Sequence, residues 1–434
     1  MACHQAHNIP WNILSSNFKY SYCQRGHEGR TNLYPLFKER QGKELHYFIE
    51  AFRKNLASHA DVELRKYEDT AAVLEPEDIL ITDDVMKRIR STVHHCDKAV
   101  YYFEEFSEKP GVIPPRYRKA GAFLHPSEEL GWQGKAVAYS LELFKLLILY
   151  GEMGPLQHIC QHPHANWVDA WEKHRDAYGD QNECGWGHVA TMALEAYLTL
   201  NLLLCFPQLW DEDSGRDGKS DYRNTKCYQR MLRECTMRKL ASNIAALPHR
   251  QFFGITEGQF DQYGSSKHGG KYSYMLEANG RREYPYGVMP IHDFLELESR
   301  PAYQPNIPDV LHVRWCLCEL GLPTEIAIEI MDAAGYVPTR RLEEPHDPLH
   351  PSNREELRKY LDYCWNILVR CEVMSRWLGD KIPWDIIVSR TLIELVGEKH
   401  HTHGTHGRKL YEQDFELDER QGFRQHEMWV YRFC

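Results

Sequence analysis

Apolar and polar positions along the chain repeat with a helical period over most of its length. The period begins at Lys43, where Leu45, Phe48, Ile49, Phe52 and Leu56 fall on one face. It returns over Asp84–Phe106, in which Val85, Ile89, Val93, Cys96, Val100 and Phe103 advance by three or four. Ser127–Tyr150 predicts a longer helix with a dense apolar end, LELFKLLILY, stopped at Gly151. Trp167–Tyr178 and His188–Phe206 predict two more. The second is apolar on most sides, which places it at the centre of the molecule, and Pro207 ends it. One helix is expected over about 224–246, and four follow: Pro308–Leu320, Pro323–Ala334, Asn353–Leu378 and Trp384–Val396. The first forty residues lack the period, as does the Gly- and Tyr-rich stretch 251–286. YEDTAAVLEPEDILITDD, between the first two helices, reads as a loop or short extended piece.

This pattern predicts a mainly α protein. Residues 1–42 form an irregular segment, 43–285 a bundle-like helical domain, 308–400 a smaller helical domain and 401–434 a tail. The Gly/Tyr-rich stretch lies irregular between the two domains. The most apolar run, YLTLNLLLCF at Tyr197–Phe206, falls well short of the ~20 residues a membrane span needs, so no membrane is expected. A net charge of −10 argues against nucleic acid, whose binders carry a basic footprint. The 13 cysteines are scattered and several sit on apolar helix faces, where a free thiol behaves as a small hydrophobe. MACHQAHNIPWNIL has neither the charged nor the apolar part of a leader. Together these point to a reducing compartment, cytoplasm or nucleus.

The histidines suggest metal chemistry. His158 and His162 are four apart and share a helix face, and His188 completes a set of three ligands. Such a site would make a metal-dependent, hydrolase-like helical enzyme acting on a small molecule, its pocket lined by the His, Trp and Tyr of residues 158–197. Against it, no Glu follows His158, and Pro163 ends any helix there. Cys3 with His7 and Cys23 with His27 could close a tetrahedral zinc site, although zinc fingers pair like with like. HHTHGTHG, with His400, His401, His403 and His406, reads as a solvated loop. His292-Asp293 and His346-Asp347 resemble the doublet of α-helical metal phosphohydrolases, as a dipeptide only. YGSSKHGGKYS departs from a phosphate loop, and no nucleophile elbow is present. No cofactor is expected, and the sequence leaves open whether the chain is an enzyme.

GLPTEIAIEIMDAAGY, Gly321–Tyr336, specifies a helix at both ends. Pro323 suits the first turn, Glu325 the positive helix end, and Gly335 a left-handed cap. The stretch resembles the first helix of an F-box. That resemblance implies docking on the adaptor of a cullin ubiquitin ligase through Leu322, Pro323, Ile326 and Ile330. The sequel departs from the family. Val337–Pro351 is a Pro-rich loop, and a capping box of Ser352 with Glu355 starts a long helix on which Cys364 and Trp365 are adjacent. The wider segment, through PHDPLHPSNREELRKYLDYCW, resembles a family of uncharacterised filamentous-fungal proteins, which implies no activity. The expected role is that of an intracellular interaction protein with a protein partner. Docking requires that Leu322, Ile326 and Ile330 are not buried against the helix Asn353–Leu378.

Overall fold

The computed structural model describes residues 6–23, 31–36, 42–99, 112–124, 135–164, 186–236, 244–255, 291–292, 305–334, 336 and 341–396. They form a mainly α fold of thirteen α-helices with one two-stranded hairpin. The helices are α1 (Trp11–Ser16), α2 (Lys43–Leu64), α3 (Asp83–Ala99), α4 (Gly121–Leu124), α5 (Lys135–Tyr150), α6 (Met153–Cys160), α7 (Trp186–Leu204), α8 (Lys226–Thr236), α9 (Leu247–Phe253), α10 (Ile307–Glu319), α11 (Thr324–Ala333), α12 (Arg354–Trp377) and α13 (Trp384–Val396). None of the described helices is long and apolar enough to cross a membrane. The expected helix Trp167–Tyr178, the tail 401–434 and nearly all of the Gly/Tyr-rich stretch lie outside the described residues.

The apolar face expected for α2 is the one it buries: Leu45, Phe48, Ile49, Phe52 and Leu56, continued by Ala60. From Val189 to Leu203 nearly every α7 side chain is buried, as expected for a helix apolar all round. α12 lies across both α7 and α2, and α8 packs along the other side of α7. α13 closes the group by contacting α2, α7 and α8, while α3, α5 and α6 pack as a neighbouring layer. One continuous hydrophobic core joins these elements, from Ile9 to Val396. α12 and α13, which come after residue 308, therefore share a core with helices that precede residue 285.

The N-terminal residues have no helical period because they are built for another task. β1 (Phe18–Ser21) pairs antiparallel with β2 (Asn32–Pro35), Phe18 opposite Pro35 and Ser21 opposite Asn32. Asn32, almost fully buried, donates its amide to the Leu395 carbonyl at 3.1 Å and accepts from the Cys227 amide at 3.0 Å. One short polar side chain thus ties the hairpin to α8 and α13. Trp11, Leu14, Phe18 and Leu33 enter the core and hold the segment Ala6–Trp11 against α2 and α7.

The start of α12 differs from expectation. Ser352 lies in a 3-10 turn, Pro351–Asn353, and makes no capping box with Glu355, which pairs instead with Arg358. Buried Asn353 turns its amide back onto the carbonyls of Glu344 and Asp347, at 2.8 and 2.7 Å. The preceding loop takes that side chain because its carbonyls would otherwise be buried without donors. The capping box occurs instead at α10, where Asn306 and Asp309 exchange side-chain and backbone bonds ahead of Pro308.

Candidate functional site

Helical bundles build their sites from side chains on facing helices, and α7 and α12 face each other in the middle of this one. α7 contributes Tyr197 to this face, with Glu195 and Thr199 on the side turned to α8; α12 contributes Tyr360, Cys364 and Trp365, all at most 2 % exposed. At one end of the seam the Tyr360 hydroxyl bonds His249 Nδ1 at 2.6 Å, and its ring stacks on Phe252 with centroids 3.8 Å apart. Cys235, on α8, donates to the Met192 carbonyl at 3.4 Å. Burial pushes the thiols of Cys235 and Cys364 up, so neither carries the thiolate a nucleophile needs at neutral pH.

On the side of α7 turned to α8, Glu195 is only 2 % exposed. Burial raises its carboxyl to about 8, against the Arg230 guanidinium 3.7 Å away. Arg230 has a nearer partner in Glu394, on α13, which leaves Glu195 protonated at neutral pH. Its Oε2 and the hydroxyl of Thr199, one turn on, have no hydrogen-bond partner among the described residues.

At the other end of the seam stands an aromatic cage. Phe52, Tyr197 and Trp365 brace one another with centroids 5.2–6.2 Å apart, and Trp11 backs Tyr197 at 5.6 Å. The imidazole of His7 lies inside, stacked on Trp365 at 4.5 Å and 12° and edge-on to His59 at 5.3 Å. Its Nδ1 is hydrogen-bonded to the Tyr197 hydroxyl at 2.8 Å. Burial, with the neighbouring His59, pushes His7 down to about 4. His7 thus lies in the cage in this structure; of the other residues of the suggested zinc site, Cys3 and His27 lie outside the described residues.

The other predicted histidines are placed as follows. His158 Nδ1 bonds the Ala72 carbonyl at 3.0 Å, and His162 Nε2 bonds the Leu74 carbonyl at 3.1 Å. The other ring nitrogen of His162 accepts from the His164 amide. With Gln157 and Gln161 they form a row that grips the backbone of residues 68–74. His188 is on the first turn of α7, but its side chain is outside the described set. Among the described residues no group of three His, Cys, Asp or Glu could hold a metal ion. Asp347, of the His346-Asp347 doublet, is buried and serves a different purpose. It accepts from Arg216 at 2.6 Å and from the Tyr222 hydroxyl at 2.7 Å, while Arg216 also meets Asp221 at 3.0 Å. The tract His400–His406 and the stretch YGSSKHGGKYS are outside the described residues.

The predicted docking residues lie on or just before α11, which contacts α10 and is joined to it by a turn at Gly321, whose φ of 90° only glycine adopts without strain. Among its described side chains α11 buries Ala327 and Met331. Ile326 and Ile330 flank that stripe on one side and Ile328 on the other, each 41–44 % exposed. Pro323 is exposed and Leu322 half-buried. α10 has no buried residue, and Ile307, Leu311, Trp315 and the following Leu320 are exposed. The hairpin lies outside the continuous core.

Tyr197 belonged to the expected pocket of residues 158–197, but the other members of the seam were not foreseen. The sequence signal for them is polar or aromatic residues set into otherwise apolar helices: Glu195 in ALEAYLTL, and the adjacent Cys364-Trp365.

The chain matches the family model described as gramillins biosynthetic cluster protein GRA5 over residues 12–406, and it belongs to that family. This agrees with the expected membership of a fungal family; the match carries no F-box and assigns no activity. No curated protein and no solved structure matches the chain.

Proposed function

We propose that this member of a biosynthetic-cluster family is an interaction protein that docks a protein partner through the α10–α11 hairpin. One observation carries the reading: three isoleucines and a tryptophan, Ile326, Ile328, Ile330 and Trp315, are exposed on two adjacent helices outside the core. Exposed large apolar side chains gathered on one element outside the core mark an interaction site. The mode is docking by helices whose aliphatic anchors enter an apolar groove. In the F-box form of the proposal, Leu322, Pro323, Ile326 and Ile330 meet a cullin-ligase adaptor. Exposure of Ile326 and Ile330, at 41 % and 44 %, supports that form.

The test uses purified adaptor and the full chain, wild type and Ile326→Asp/Ile330→Asp, in a calorimetric titration. Saturable binding by wild type, lost in the double variant with its melting temperature unchanged, supports the F-box form. Absence of binding by wild type removes that form. Crosslinking the wild-type chain and the variant to the other proteins of the same biosynthetic cluster then tests docking itself. A partner captured equally by both leaves the hairpin without a role.

A further inference from the structure

Ala6–Asn8 make a 3-10 turn in which two successive non-glycine residues are left-handed, His7 at φ 63° and Asn8 at φ 57°. That conformation costs an L-residue free energy and persists only where surrounding contacts hold it. Here Ile9 and Trp11, which follow the turn, anchor the chain in the core, and the turn itself is held by the His7 ring. Beyond the imidazole in the cage, the turn is tied by Asn55, which donates to the Asn8 carbonyl at 3.4 Å. His7 itself is half-buried.

The walls are of a different kind. Phe52, Tyr197 and Trp365 come from the three longest elements of the core, α2, α7 and α12, and each is at most 1 % exposed. They contact one another directly as well as through His7. A box of buried core side chains is thus filled by a half-buried ring carried on a left-handed turn. Inside it are one hydroxyl, Tyr197 Oη, whose partner is that ring, and a flat indole face.

We propose that the cage is a ligand site, that His7 occupies it as a built-in plug, and that its ligand carries a neutral planar nitrogen heterocycle of imidazole size. Such a ring stacks on Trp365 and exchanges the hydrogen bond of His7 with Tyr197. Aromatic cages often select cations. In this one the neighbouring His59 and the burial of the site press His7 toward its neutral form, which selects against a cation. Two sources offer this chemistry, a free small heterocycle and a histidine side chain of a peptide.

The test is histidine-selective NMR on the full chain in mildly alkaline buffer. Stacking on Trp365 shifts the ring protons of His7 upfield, and their absence from the His7→Ala spectrum assigns them among 24 histidines. Imidazole and N-acetyl-histidine methylamide are titrated separately into wild type and His7→Ala. Saturable movement of the His7 signals to solvent values supports the proposal. Displacement by imidazole alone assigns a small molecule, and displacement by the amide alone assigns a peptide. His7→Ala, with near-UV circular dichroism unchanged, should bind the effective probe about tenfold tighter, because competition by the plug is gone. Adding Tyr197→Phe should reverse most of that gain. His7 signals that stay fixed at saturating probe overturn the proposal, even if His7→Ala binds, since the ring is then a permanent filler. Failure of His7→Ala to bind either probe overturns it as well.

Discussion

A carboxylic acid in the middle of an apolar helix gives the clearest test at the scale of a single residue. Glu195 titrates near 8 in the folded chain, above the ordinary range of a glutamate, because burial disfavours its charge. Between those two values the folded chain holds a proton that the unfolded chain has released. Stability is therefore full at acid pH and falls as pH rises through about 8. Glu195→Gln keeps the shape and removes the titration. Its urea-unfolding free energy should match wild type near pH 5 and exceed it by on the order of 3 kcal/mol near pH 9. Parallel pH profiles would show that Glu195 does not carry this dependence. A second residue, Asp347, makes the opposite case, since its charge is paired. Arg216 and Asp347 are both at most 8 % exposed, and Asp347→Ala strands a buried guanidinium with Asp221 as its remaining anion. The expected loss is about 3 kcal/mol, read from the denaturant midpoint at unchanged slope. At this scale the sequence was readable where residue type alone decides. Cys96, Cys160, Cys227, Cys235, Cys364 and Cys371 are buried, as small hydrophobes should be. His346-Asp347 looked like chemistry and is an ion-pair staple, because a dipeptide does not say which cation the fold brings to it.

Elements were legible wherever the apolar period was strong. α13 has the bounds expected of it, Trp384–Val396, and α10, α11 and α12 differ by a residue or two at each end. The cap of α12 was misread because Ser-x-x-Glu is a local pattern, whereas Asn353 answers carbonyls of a loop that folds back from nine residues away. Ser352→Ala should therefore change stability by less than about 0.5 kcal/mol, while Asn353→Ala should cost about 1–3 kcal/mol by leaving buried carbonyls unpaired. Thermal melts of the two variants compare them directly. If the serine proves the costlier change, α12 is capped as the local pattern first indicated. The hairpin β1–β2 was not legible at all, since its strands are four residues each and its apolar residues reach a core made by helices far along the chain.

At the scale of the whole molecule, periodicity tells which face of a helix is buried and leaves its partner unstated. That is why the pairing of α7 with α12, and the seam between them, could not be read in advance. The same consideration yields a prediction about how the chain is assembled. α12 and α13 supply Tyr360, Leu361, Cys364, Trp365, Ile367, Leu368, Val388 and Leu392 to the core that α2, α7 and α8 share. Removing residues 354–396 exposes the matching faces of those helices, and at about 25 cal/mol per Å² of apolar surface the loss far exceeds the stability of an ordinary domain. α10 and α11 are different: Ala327 and Met331, the side chains they bury, belong to no part of that core. Replacing residues 305–336 by a Gly/Ser linker should leave a cooperative melt within a few degrees of wild type, whereas a chain ending at residue 353 should show no cooperative transition. Circular dichroism melts of the two deletions decide the matter. A hairpin deletion that unfolds the chain would mean that its isoleucines are structural, and would remove the basis for treating them as a docking face. A truncated chain that still melts cooperatively would instead show that the helices before residue 285 form a domain without α12 and α13.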